Sequence, residues 1–302
     1  MYSNQLNFLK FINSLIEFND GKYYDTITNI SSSNGKNPKS LIESDIKILN
    51  LEDLVLDSIS GTSPAIVDGF YFRFNKYNKL SLYFVEFKGN KLNKKHLKEY
   101  FKEYICPLKS KKCGIQIFDC PISYLNQNEV RNIYEHYEDE MSAQLRIKPF
   151  ESIFIGIPEL FSKFTGEEGN PDTFLTKYYN CHIQVVYVKE SPSGSNSHLT
   201  VKQEISAKYA SYQNNGLITD YRIRNNIDFY TDDLPKIQMF PIHFLKNIIN
   251  IIEDLKKNYG EISSIDNIID EKLDDELLKE DIQMGTKQKK RLHKVIYYYY
   301  NH

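Results

Sequence analysis

The chain of 302 residues has no tryptophan, only four cysteines, and no apolar run long enough to cross a bilayer as a helix. A transmembrane helix needs about 20 predominantly apolar residues in succession, so none is expected. The cysteines are Cys106, Cys113, Cys120 and Cys181, with no Cys-x-x-Cys pair among them. They read as reduced thiols of an intracellular protein. The first three stand seven residues apart. That is not a usual zinc-ligand spacing, so a zinc site built from them with His182 has little support. The amino-terminal stretch lacks both the basic start and the small-residue cleavage pattern of a signal peptide. A cytoplasmic protein without membrane association is therefore the expectation. There is also no glycine-rich phosphate loop, no Gly-x-Ser-x-Gly elbow and no dinucleotide fingerprint, which leaves those enzyme classes without support. A net charge of −2 rules out a wholly basic nucleic-acid coat but leaves room for a local basic groove.

What is present is a folded composition, with 41% hydrophobic and 26% charged residues and an abundance of Tyr and Phe. The length suffices for one large or two ordinary domains. The most informative stretch runs from Pro64 to Gly89 and reads as a β-hairpin. Its arms are Asp68 to Phe74 and Leu80 to Lys88, and the polar loop Asn75–Lys79 joins them. Pairing Phe74 with Leu80 places Asp68 across from Glu86. Side chains alternate between the faces of a strand. One face then carries Phe70, Phe72, Phe74, Leu80, Leu82 and Phe84, with Asp68, Glu86 and Lys88 at its open end. Two carboxylates and an amine closing an apolar face need a reason, because unpaired buried charge is costly. A surface cluster of acids and a lysine is the plain alternative, and such clusters contribute little.

Asp68, followed after seventeen residues by Glu86-Phe87-Lys88, on a hairpin with a helix after it, resembles the PD-(D/E)xK nuclease superfamily. The resemblance covers about residues 40–120 and rests on three motif residues. One departure is that Val67 precedes Asp68, where the family often has proline; the nearest proline is Pro64. The resemblance implies a restriction-endonuclease-like αβββαβ core and a metal, Mg²⁺ or Mn²⁺, held by Asp68 and Glu86. It also implies a role for Lys88 on the attacking water, and a further acid from the helix before the hairpin. Glu52 is the candidate for that acid. A helix is expected from Asn37-Pro38 to about Ile59, and its apolar stripe includes Asp45 and Glu52. Asn50-x-x-Asp53 could instead begin a second short helix, which would make Glu52 an ordinary first-turn acid.

After the hairpin a helix is expected over about 92–105. Between Lys88 and Lys112 there are nine lysines against two glutamates. Lys91, Lys94, Lys95 and Lys98 leave the strand end beside the motif and are the candidates for gripping a phosphate backbone. A solvated helix face is the competing reading. A buried strand follows at 114–118, then a polar helix at 126–146. Within it Glu135-His-Tyr-Glu-Asp-Glu140 lacks metal-ligand spacing and reads as a charged surface. Residues 151–157 and 182–188 read as strands from their β-branched and aromatic content. A helix is expected over 201–212, extended chain over 217–230 with Arg222 and Arg224 on one face, and helices over 241–259 and 263–282. From Glu253 to Asp281 there are eleven acids and four lysines, and the basic tail Lys287–Lys294 follows. Pairing of that acidic helix with the tail is favoured over binding of the tail to nucleic acid.

The expected architecture is α/β, a central mixed β-sheet flanked by helices, with the αβββαβ core and a C-terminal extension. Residues 1–36 form an N-terminal helix and loop and 37–150 the nuclease-like core. Residues 151–302 form an α/β extension for substrate recognition or oligomerisation, and a homodimer is open. The expected activity is metal-dependent hydrolysis of phosphodiesters in DNA, as an endodeoxyribonuclease. The alternative is a non-catalytic nucleic-acid-binding or protein–protein adaptor on a nuclease-like fold.

Overall fold

The hairpin lies at the centre of a six-stranded sheet in the computed structural model, which describes residues 3–32, 40–59, 64–88, 146–166, 182–189, 198–215, 217–238, 244–259 and 265–301. Its arms, β3 (Gly69–Phe74) and β4 (Leu80–Lys88), pair antiparallel from Phe74 with Leu80 back to Gly69 with Val85. This is the register that the alternation of side chains requires. The loop closes with Asn75 N–H donating to Lys79 O at 2.8 Å, while the Asn75 side-chain oxygen accepts from Tyr77 N–H and Lys79 N–H. Asn78 supplies the left-handed residue of the turn, with φ of 62°, a conformation that asparagine adopts more readily than most residues.

On one side of the hairpin, β2 (Lys47–Asn50) and β1 (Tyr24–Thr26) extend the sheet antiparallel. On the other, β5 (His182–Lys189) and β6 (Asp220–Asn225) extend it parallel, in the order β1-β2-β3-β4-β5-β6. The sheet is therefore mixed, as expected. Strands from beyond residue 150 are hydrogen-bonded into the same sheet as the hairpin. Antiparallel neighbours can be joined by tight turns, whereas parallel strands need a crossover. The long chain between β4 and β5 meets that need, and its described part is helical.

Both faces of the hairpin are covered. Phe70, Phe72, Phe74, Leu80, Leu82 and Phe84 pack into the larger core. The helices over that face include α1 (Ser3–Gly21), which ends where Asn19 and Asp20 turn left-handed. The short α2 (Ile27–Ile30) follows β1, and α3 (Leu51–Ser58) follows β2. Next comes α4, residues 146–165, with a wider π-type turn at Ser152–Gly156. The helix α5 (His198–Asn214) precedes β6, and α6, residues 226–238, follows it. Three further helices, α7 (Leu245–Asn258), α8 (Ile265–Lys279) and α9 (Thr286–Asn301), complete the large core. The opposite face, with Tyr71, Tyr83, Val85 and Phe87, packs against Phe229, Leu234 and Ile237 of α6. No helix among the described residues is long and apolar enough to cross a membrane.

Three expectations require correction. Over its described part, residues 40–59, the helix expected from Asn37 to Ile59 is instead irregular chain and the strand β2 followed by the short α3, because Asn50 caps a new helix. Its side-chain oxygen accepts from Asp53 N–H at 3.1 Å, satisfying a backbone donor that a helix start leaves open. The strand expected at 151–157 is helical. Ile153, Ile157, Leu160 and Phe161 are all buried at helical spacing, and that longer period outweighs the β-branched content of a few residues. The extended segment expected over 217–230 ends at Asn225, which caps α6 by accepting from Asp228 N–H. The pairing of the acidic helix with the basic tail is observed. His293 of α9 sits between Asp266 and Asp270 of α8, and Lys289 reaches Asp274. The helix expected at 92–105, the strand at 114–118 and most of the polar helix at 126–146 lie outside the described residues, as do all four cysteines.

Candidate active site

Four chain segments meet at the open end of the hairpin. Asp68 immediately precedes β3. Its backbone oxygen accepts from Leu51 N–H at 3.0 Å, which fastens the first turn of α3 beside it and brings Glu52 to the same end of the sheet. Its side-chain Oδ2 accepts from Phe87 N–H at 2.6 Å. The Asp68 carboxylate is thereby held at the backbone of the residue that follows Glu86, with Oδ1 left to face the cluster. Glu86 lies near the end of the central strand β4 and is only 1% exposed.

The fourth segment is α4. Ser152 Oγ donates to Lys148 O at 2.7 Å and accepts from Val67 N–H at 2.9 Å. The Glu151 carboxylate accepts from Ala65 N–H. The helix is thus fastened to the irregular segment that leads into Asp68. Gly156 makes a close approach there, since a β-carbon on it would stand 2.8 Å from Ile66 Cδ1. The π-type turn falls within this clamped stretch. Such turns occur often at functional sites.

The clamp aims Lys148 into the acids. Its Nζ donates to both Glu86 oxygens at 3.1 Å and to Asp68 Oδ1 at 3.4 Å, and stands 3.8 Å from Glu52 Oε1. Three carboxylates from α3, the start of β3 and β4 therefore share one ammonium. Lys88, half-buried two residues beyond Glu86, makes no ion pair among the described residues. Its charge is near enough to favour the ionised forms of Glu86 and Glu52.

The electrostatics record a shortage of positive charge. Burial, then the nearby Asp68 carboxylate, pushes the Glu86 carboxyl up to about 8 despite Lys148 and Lys88. Burial also raises Glu52, with Asp68 adding to it and Lys148 opposing. For Lys148, burial alone would favour the neutral amine. Glu86, Asp68 and Glu52 together outweigh burial and hold its pKa above the ordinary lysine value, so it stays charged. Desolvating a carboxylate costs several kcal/mol unless its neighbours compensate, and here one ammonium serves three acids.

Of the residues singled out in the sequence, Asp68, Glu86 and Glu52 come together, with Lys88 beside them. Glu52 arrives by a route other than the stripe of a long helix. It is a first-turn acid of α3, held by the bond from Leu51 to Asp68. Lys91, Lys94, Lys95 and Lys98 lie outside the described residues. Lys148 carries no local signature in the sequence. The helical spacing of Ile153, Ile157, Leu160 and Phe161 could have revealed α4, though not the target of its lysine.

All three acids offer oxygen donors, the chemistry that a hard divalent ion such as Mg²⁺ or Mn²⁺ prefers. As arranged, however, no three His, Cys, Asp or Glu side chains among the described residues form a metal cage. The Lys148 ammonium stands between the carboxylates. No family model, curated protein or solved structure matches this chain.

Proposed function

We propose that the protein is a divalent-metal-dependent nuclease hydrolysing phosphodiester bonds in DNA, on a restriction-endonuclease-like core. The observation that carries this reading is the convergence of Asp68, Glu86 and Glu52 on a single cation at the open end of the hairpin. Strand order adds support. The helix α1 precedes the antiparallel run β2, β3 and β4, and helix α4 then leads to β5, parallel beside β4. That sequence of elements suits an αβββαβ core, with β1, α2 and α3 as additions to it. It draws on chain well beyond residue 118.

Asp68 and Glu86 would hold the metal, with Glu52 as a further acid. The bound ion supplies a water of lowered pKa and neutralises charge on the phosphoryl oxygens. Asp68 keeps its orientation through Phe87 N–H, so Oδ1, the oxygen that meets Lys148, is set in place before substrate arrives. Lys88, half-buried at the end of the same strand face, orients the nucleophile or offsets charge developing on the phosphate. Lys91, Lys94, Lys95 and Lys98 bind the phosphate backbone of the DNA.

The deciding experiment incubates the protein with linear, nicked and supercoiled DNA, and with RNA, in Mg²⁺ or Mn²⁺ and then with EDTA. Cutting that stops with EDTA and falls to background in Asp68→Ala and Glu86→Ala is the expected result. Lys148 favours a second reading, a binding protein on the same fold in which the lysine permanently replaces a metal. DNA binding with no cutting in either metal, and no stabilisation by either, would select it.

A further inference from the structure

Lys148 bonds both oxygens of Glu86 and reaches Asp68 as well. No second cation can use those oxygens while the ammonium holds them, because like charges at van der Waals distance repel strongly in a buried site. The lysine is also firmly placed. Its backbone oxygen takes the Ser152 hydroxyl, and Ser152 and Glu151 fasten the same turn of α4 to residues 65 and 67. The helix therefore does not have to move for the cluster to change occupant. A lysine side chain has a flexible four-carbon stem and can withdraw its ammonium alone.

We propose that Lys148 is a resident counter-ion that a divalent metal displaces from the Asp68–Glu86 cluster, so that this lysine sets the metal concentration at which the site loads. The inference rests on the metal-dependent reading and adds a regulator to it. In the metal-free protein the ammonium offsets the charge that Asp68 and Glu52 bring to the cluster, and that of Glu86 when it ionises. Loading exchanges one cation for another of higher charge, and the cost of expelling the first lowers the apparent affinity for the second. Lys148 is in this sense a positioning residue, acting on the carboxylates rather than on substrate.

The test measures Mn²⁺ and Mg²⁺ binding by calorimetry, and the thermal upshift each ion produces, in the full-length wild type and in Lys148→Met. Lys148→Met should bind Mn²⁺ at least about tenfold more tightly, and should gain a larger upshift from it, because nothing has to be expelled. Lys148→Arg, which keeps the charge, should stay close to the wild type. Equal or weaker binding in Lys148→Met, with the wild type still binding, would overturn the exchange and leave the metal reading standing. Absence of binding in both proteins would overturn the two together. A measurement on the wild type alone guards against a variant that does not fold. Acetylation of Lys148, followed by mass spectrometry, should speed up several-fold on adding Mn²⁺, since the side chain is only 12% exposed while it holds the acids. Unchanged or slower labelling in the presence of bound Mn²⁺ would overturn the proposal.

Discussion

Two buried charge clusters flank this sheet, and they are balanced in opposite ways. Asp233 of α6, 2% exposed, is met by two arginines of β6, Arg222 Nη1 at 3.2 Å and Arg224 Nε at 3.2 Å. Arg222 also stands 3.6 Å from the more exposed Asp220, so two acids there have two cations. At the open end of the hairpin three acids share one ammonium, with Lys88 at a distance. A buried carboxylate that serves only to join a helix to a sheet comes with its own partners, as Asp233 does. An excess of carboxylates that the fold itself does not neutralise is costly to keep. It becomes understandable where a further cation arrives from solution.

The comparison can be broken most severely by removing one acid from each cluster. Asp233→Asn should lower stability by about 3 kcal/mol, because it strands the partly buried Arg224 guanidinium and leaves Arg222 only the more exposed Asp220. Denaturant titration would measure it. Glu86→Gln in the metal-free protein should leave stability unchanged or raise it, since the lost charge was repelling Asp68 and resisting burial. A destabilisation comparable to that of Asp233→Asn would mean that the hairpin cluster is a structural pairing like the other.

Acidity sharpens the contrast at a smaller scale. Glu86 ionises near 8 in the folded chain and near 4.5 as a free side chain. Between those values the folded state holds a proton that the unfolded state has released. Metal-free stability should therefore fall as pH rises from about 4.5 through about 8, and Glu86→Gln should flatten that slope. Mn²⁺, which favours the ionised carboxylate, should reverse the trend. Thermal melts across that range with EDTA or Mn²⁺ would show it, and an unchanged slope in Glu86→Gln would contradict the assignment.

The smallest effect expected concerns DNA affinity. Replacing Lys91, Lys94, Lys95 and Lys98 by Ala should weaken binding and flatten the logarithmic salt dependence by about one unit for each phosphate no longer neutralised. A slope unchanged by all four substitutions would make these lysines a solvated face.

The hairpin was legible in the sequence down to its register because its two arms alternate cleanly and a five-residue loop that pairs Phe74 with Leu80 puts Phe70, Phe72, Phe74 and Phe84 on one side. Asp68 and Glu86 followed from that geometry. Glu52 was found for a reason that does not hold. Lys47 to Asn50 is too short for period to separate strand from helix, and the cap at Asn50 decides the matter. Lys148 could not be read at all. It stands 62 residues from Glu86 along the chain, and its place depends on Ser152 and Glu151 finding the backbone of residues 65 and 67. Arg222 and Arg224 share a face of the expected extended segment 217–230, yet their partner Asp233 lies beyond that segment and is brought back by the helical turns from residue 226 onward.

Crystals soaked in MnCl₂ and measured at a wavelength where manganese scatters anomalously offer the most direct trial of the metal site. The expected result is one strong peak within about 2.0–2.6 Å of oxygens from both Asp68 and Glu86, with the Lys148 ammonium moved away from Glu86. A peak elsewhere, or none, with Lys148 still bonded to both Glu86 oxygens at manganese concentrations that saturate ordinary sites, would contradict it.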